Sequence, residues 1–103
     1  MMNFLLLYHG GAMPETDEQK QQVMAAWQTW MSAVGEGMVG MGNPTSNVKT
    51  VSSSGVTDFS GDKVTGYSVV KAESMDQVVE WSKTNPVVMN GGSVDVYETF
   101  AAM

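Results

Sequence analysis

The chain has 103 residues, 43% of them hydrophobic, with 11 acidic residues against five lysines, no arginine, no cysteine and a formal net charge of −6. That length suits one domain spanning 1–103, and the acidity argues against nucleic acid, which is bound through a basic stripe that releases counterions. Without cysteine there are no disulfides, thiolate nucleophiles or thiolate metal sites, which fits a reducing compartment.

Phe4 to Tyr8 is an uninterrupted apolar run closed by His9-Gly10-Gly11, a pattern that predicts a strand buried on both faces. Period-two alternation sets Phe4, Leu6 and Tyr8 on one face and Leu5, Leu7 and His9 on the other. This run is too short for a signal-peptide core and has no basic residue ahead of it. Nothing in the chain approaches the roughly 20 apolar residues of a membrane helix, so no membrane association and a cytoplasmic location are expected.

Thr16 predicts the cap of a first helix, with Gln19 at the capping-box position and Asp17 and Glu18 favouring the helix dipole. Val23, Met24, Trp27, Trp30, Met31 and Val34 form its apolar stripe, and Gly35 and Gly37 end it. Met38 to Met41 reads as a short strand, Gly42-Asn43-Pro44 as a turn, and Val48 to Val51 as extended again. Residues 56–59 between two turn-like segments are either a hairpin arm or a loop.

Thr65 to Ala72 reads as a strand, and Ser74 caps a second helix with Met75, Val78 and Val79 on its apolar side and Trp81 at the margin. Asn85-Pro86 stops that helix, Val87 to Gly92 reads as a loop, and the alternating run from Val94 to Phe100 as a last strand near an edge or beside a partner. The predicted order is β-α-β-β-α-β, an α+β fold with an antiparallel sheet and two helices on one face. Such a layer leaves the other sheet face bare in so small a domain, so a homodimer is expected.

Gly42-Asn43-Pro44, Lys49-Thr50-Val51, the strand from Val64 to Val69, Ala72-Glu73-Ser74 and the run from Gly91 to Val96 occur in an order and spacing that resembles the YCII-related domain family. The helix starting near Met13-Pro14-Glu15, with Ala26-Trp27 and Trp30, is similar to that of its small stand-alone members. The resemblance implies a ferredoxin-like protomer in a dimeric α+β barrel, two sheets enclosing a cavity. For some members it implies a His-Asp pair acting in acid-base chemistry without metal or organic cofactor. The chain departs from that pattern: His9 is not in a recognisable His-Asp motif, and the Asp-Gly-Pro-Phe signature of a neighbouring subgroup is absent.

His9 is the chain's one histidine, the side-chain type suited to proton transfer near neutral pH. Where a strand meets a Gly-Gly turn it is the candidate catalytic residue, against the plainer reading of a hydrogen-bonded surface histidine. Asp58 and Asp95 are its conceivable carboxylate partners. Trp27 and Trp30 are candidate walls for a flat apolar or aromatic ligand, or core residues. Lys49, Tyr67 and Ser68 are candidate polar contacts, or ordinary surface and interface groups. Met24, Met31, Met38, Met41, Met75 and Met89 read mainly as gap fillers.

One histidine among scattered carboxylates has no metal-ligand spacing, and Gly91-Gly92 lacks the context of a phosphate loop. No cofactor is expected. Two functions remain open on these residues: a cofactor-independent acid-base enzyme with a small-molecule cavity, and a non-catalytic dimer that binds a ligand or serves as an interaction module. Haem or quinone handling has only fold analogy behind it.

Overall fold

The computed structural model describes residues 1–11 and 14–102. Its central strand, β1 (Met2–His9), pairs antiparallel with two neighbours, β5 (Gly66–Ala72) on one side and β6 (Ser93–Glu98) on the other. Short β2 (Met38–Gly40) pairs antiparallel with β5, so the four-stranded sheet runs β2-β5-β1-β6. Between β1 and β2 lies α1 (Asp17–Val34), followed by a 3-10 turn, Gly35–Gly37. α2 (Met75–Ser82) and a short α3 (Pro86–Met89) join β5 to β6.

Local chemistry sets these boundaries. Thr16 accepts the Gln19 N–H at 3.1 Å while the Gln19 side chain accepts the Thr16 N–H, the reciprocal cap expected from the sequence. Ser74 accepts the Gln77 N–H at 3.2 Å and opens α2. The expected loop from Val87 to Gly92 begins instead with the helical turn α3. Asn85 Oδ1 accepts the Val87 N–H at 2.9 Å and Pro86 takes the first helical position, where its missing N–H costs nothing.

The core forms where the pleat of the sheet meets the helices. Phe4, Leu6 and Tyr8 of β1 and Val70 and Ala72 of β5 join Trp30 and Val34 of α1 and Val78 of α2 in one buried cluster. Trp30 Nε1 donates to the Trp81 carbonyl at 2.7 Å and ties α1 to α2. The opposite face holds Leu5, Leu7, His9 and Val69, all only half-buried, with Tyr97 exposed. Within the single chain the helices cover the Phe4 face of the first strand. Both longer helices pack on the Phe4 side, and no helix among the described residues covers the other.

Residues 42–45 do more than turn. The Tyr67 N–H donates to the Asn43 carbonyl at 3.2 Å, the Thr45 N–H to the Thr65 carbonyl at 3.1 Å, and Pro44 bridges Gly66, so this stretch runs along the start of β5. The segment beyond it is a hairpin arm: β3 (Lys49–Ser52) and β4 (Gly55–Asp58) form a separate two-stranded sheet whose residues are all exposed. Met31, Met38 and Met75 pack against the core as fillers, whereas Met24, Met41 and Met89 of the expected set are exposed.

Gly42 holds that stretch against β5. Its φ is +77°, and a Cβ there would run into the Tyr67 carbonyl oxygen. Gly42→Ala is expected to cost about 2–4 kcal/mol, since it combines left-handed backbone strain with a clash against main chain. Urea unfolding followed by tryptophan fluorescence measures this, and a loss within experimental error would show that residues 42–45 are not anchored on β5.

Candidate functional site

The pleat of β1 separates two consecutive residues that carry polar chemistry. Tyr8 points to the helix-covered side and His9 to the open side. Each belongs to a different constellation.

On the open side, His9 Nε2 lies 2.9 Å from Asp95 Oδ2, a contact made across the β1–β6 pairing. The His9 side chain is 17% exposed and that of Asp95 56%. A pair this open contributes little to stability, but it orients the ring: with Nε2–H donating to the carboxylate, the neutral imidazole carries its lone pair on Nδ1. That Nδ1 is buried and has no hydrogen-bond partner among the described residues. Of the two carboxylates weighed as partners, Asp95 is brought to His9. Asp58 pairs instead with Lys49 across the exposed hairpin arm.

On the helix side, a cavity of about 590 Å³ opens between α1, α3 and the stretch 42–44 beside β5. Val23, Trp27 and Met31 of α1 form one wall, Val87 the side toward α3, and Tyr8 the sheet side. The rings of Tyr8 and Trp27 meet edge to face at 5.4 Å, and Trp27 and Trp30 at 5.7 Å, an arrangement favoured by the ring quadrupoles. Trp27 thus lines the cavity, while Trp30 is buried behind it with its indole N–H committed to Trp81.

Beneath the cavity runs a chain of buried polar groups. The Tyr8 hydroxyl donates to Ser68 Oγ at 2.7 Å, Ser68 Oγ donates to the Met41 carbonyl at 2.6 Å, and Asn85 Nδ2 donates to the Tyr8 oxygen at 3.4 Å. Burial is the main cause that pushes the Tyr8 phenol above its ordinary pKa, opposed by its hydrogen bonds to Ser68 and Asn85. Ser68 is fully buried, and its hydroxyl is spent within this chain.

The six residues singled out from the sequence therefore do not converge. Trp27 and Tyr67 border the cavity, although the strand register sets Tyr67 on the open face with Leu7. His9 is on the far side of the sheet from Trp27, Trp30 and Ser68 are packed below the surface, and Lys49 is out on the arm. Tyr8 and Asn85 were not foreseen as polar partners. Their signal was available only in part: Tyr8 shares a face with Phe4 and Leu6, where a hydroxyl must find a partner, but Asn85 is 77 residues away. No group of metal-binding side chains occurs among the described residues.

With this geometry in hand, comparison with known proteins places the fold. No protein-family model matches the chain, and no curated protein matches it. Among solved structures it is similar to the 5-chloro-2-hydroxyhydroquinone dehydrochlorinase of Burkholderia phenoliruptrix AC1100 in complex with 2,5-dihydroxybenzoquinone, with a TM-score of 0.58 and 19% identity over 98% of this chain and 96% of that one. The likeness is one of fold: an α+β protein with an antiparallel sheet and helices. No helix among the described residues is long and apolar enough to cross a membrane.

The buried tyrosine has a consequence in alkali. Its folded pKa is raised, so the native state holds the phenol proton more tightly than the unfolded chain; the stabilisation is complete below about pH 10 and is lost as pH rises through the folded value. Tyr8→Phe is expected to cost about 1–3 kcal/mol at neutral pH, because Asn85 and Ser68 lose their partner. Its stability should also fall less than that of the native protein above pH 10. Urea midpoints at pH 7 and pH 10.5 test both, and an equal alkaline loss in the two proteins would detach Tyr8 from the effect.

Proposed function

We propose that this chain is a small-molecule enzyme of the cofactor-independent acid-base kind, a YCII-related protein acting in the cytoplasm as a homodimer of ferredoxin-like protomers. The observation that carries this reading is the His9–Asp95 contact at 2.9 Å, which leaves a buried, unpartnered Nδ1. In this reading substrate binding opens a path to Nδ1, which takes a proton from an acidic O–H or C–H of the substrate, while Asp95 orients the ring and stabilises the imidazolium that forms. The same nitrogen then returns the proton to the product, so no outside oxidant or reductant is needed. The solved structure of similar fold is that of an enzyme acting on a chlorinated hydroxyhydroquinone, which supports a hydroxylated six-membered ring as the first substrate class to try.

The sheet supports the dimer in this reading. Leu5, Leu7, Val69 and Tyr97 stand on a face that no helix of the chain covers, and a second copy meeting it face to face makes a dimeric α+β barrel with the His9–Asp95 pair at its inner surface. The second reading, a non-catalytic dimer for ligand binding or interaction, is favoured by a different observation: the apolar cavity beside Trp27 lies on the other side of the sheet from His9.

Turnover of a panel of hydroxylated and halogenated hydroquinones tests the enzyme reading. His9→Ala is expected to lower kcat by about 10²- to 10⁴-fold with an unchanged circular dichroism spectrum, and Asp95→Asn by a smaller factor at similar KM. A His9→Ala rate equal to the native one would remove the acid-base role, and saturable binding without turnover by the native protein would favour the second reading. For the dimer, sedimentation velocity should find two protomers in the native protein and one in Leu7→Glu, whose buried charge the paired faces cannot accommodate. A native monomer at all concentrations would leave the sheet face without its cover.

A further inference from the structure

The cavity beneath α1 differs in chemistry from the open face. None of its described lining residues is a carboxylate, lysine or histidine, and its ionisable groups are the phenols of Tyr8 and Tyr67, the former driven toward its neutral form by burial. An ion entering it would lose part of its hydration without gaining a counter-charge. Its walls are aromatic and aliphatic, with the indole of Trp27 held edge-on to both Tyr8 and Trp30 and so fixed in orientation. Polar capacity is left over at the border, where the side-chain amides of Gln28 and Asn43 make no hydrogen bond among the described residues. Few polar groups around an apolar volume of about 590 Å³ are the composition of a small-molecule pocket.

We propose that this cavity is a second ligand site, separate from the His9–Asp95 pair, and that it takes an uncharged, flat, mainly apolar ring system bearing one or two hydrogen-bonding groups at its edge. The ring packs on Trp27 and between Val23, Met31 and Val87, and its polar edge meets the amides of Gln28 and Asn43. Consecutive residues of one strand border the two sites, Tyr8 the cavity and His9 the opposite face, so the body of the sheet lies between them, with Tyr67 at the strand end a cavity residue whose register belongs to the His9 face. Met24, 63% exposed at the cavity border, sits where the ligand enters.

Two probes that share one ring system read the site. N-phenyl-1-naphthylamine is neutral, and 8-anilino-1-naphthalenesulfonate adds a sulfonate to the same rings. The native protein is expected to bind the neutral probe saturably at one site per protomer, and the sulfonate at least about tenfold more weakly. Trp27→Ala removes the ring platform, and Met24→Glu, an exposed position that tolerates a charge, places a carboxylate at the entrance. Each should weaken the neutral probe by about tenfold or more, and Met24→Glu serves alone if Trp27→Ala fails to fold. His9→Ala should bind the neutral probe as the native protein does, even where it loses turnover, so the outcome for this site and that for the acid-base pair are read separately. Equal binding of the two probes, native affinity in Met24→Glu, loss of binding in His9→Ala, or no saturable binding would each overturn the proposal.

Discussion

The pleat of the central strand governs the molecule. Because successive side chains of β1 leave the sheet on opposite sides, Phe4, Leu6 and Tyr8 build the core with Trp30, Val34 and Val78, while Leu5, Leu7 and His9 are turned to a face with no helix over it. A register slip of one residue would exchange the two sets. It would bury an imidazole under α1 and expose the Phe4 face, so the seven-residue pairing of β1 with β5 and the six-residue pairing with β6 hold chemistry as well as fold in place.

The helix side is closed by polar contacts as well as by packing. Trp30 spends its indole N–H on the Trp81 carbonyl, and Tyr8, Ser68 and Asn85 satisfy one another below the cavity. Buried polar groups of this kind cost stability when left unpaired. Their joint satisfaction fixes the end of α2 and the stretch at Met41 relative to the sheet, which in turn holds the cavity open beside Trp27. The β3–β4 arm takes no part in this: its residues are exposed, and its charge pair of Lys49 and Asp58 is internal. A two-stranded ribbon has little stability of its own.

Much of the local structure was legible in the residues. Thr16 with Gln19 and Ser74 with Gln77 announce helix starts because their side chains satisfy amides three residues away, a purely local requirement. The alternation in β1 was equally plain, and its run of apolar residues calls for cover on two faces, of which the helices of the chain supply one. Hydrophobicity records that a face is apolar and cannot say which neighbour covers it. Asn85-Pro86 was read as a stop alone; the same two residues cap and begin α3, since an Asx acceptor followed by proline suits a helix start as well as an end. Of the candidate site, His9, Asp95 as one of two carboxylates and Trp27 as a wall could be named from residue type, but Lys49 lies on the arm, Trp30 and Ser68 are committed internally, and the division into two places could not be read.

By itself the sequence determined an α+β make-up, the starts of the two longer helices, the absence of thiol chemistry, the want of a basic surface for polyanions and the identity of the lone imidazole, because each depends on residue type or on spacing of a few positions. Tertiary structure decided which carboxylate meets His9, that Ser68 and Trp30 are spent on internal hydrogen bonds, and that Trp27 faces a cavity on the far side of the sheet from His9. Those facts depend on contacts between residues 27 to 86 positions apart, whose geometry is set only when strand register and helix packing are chosen together.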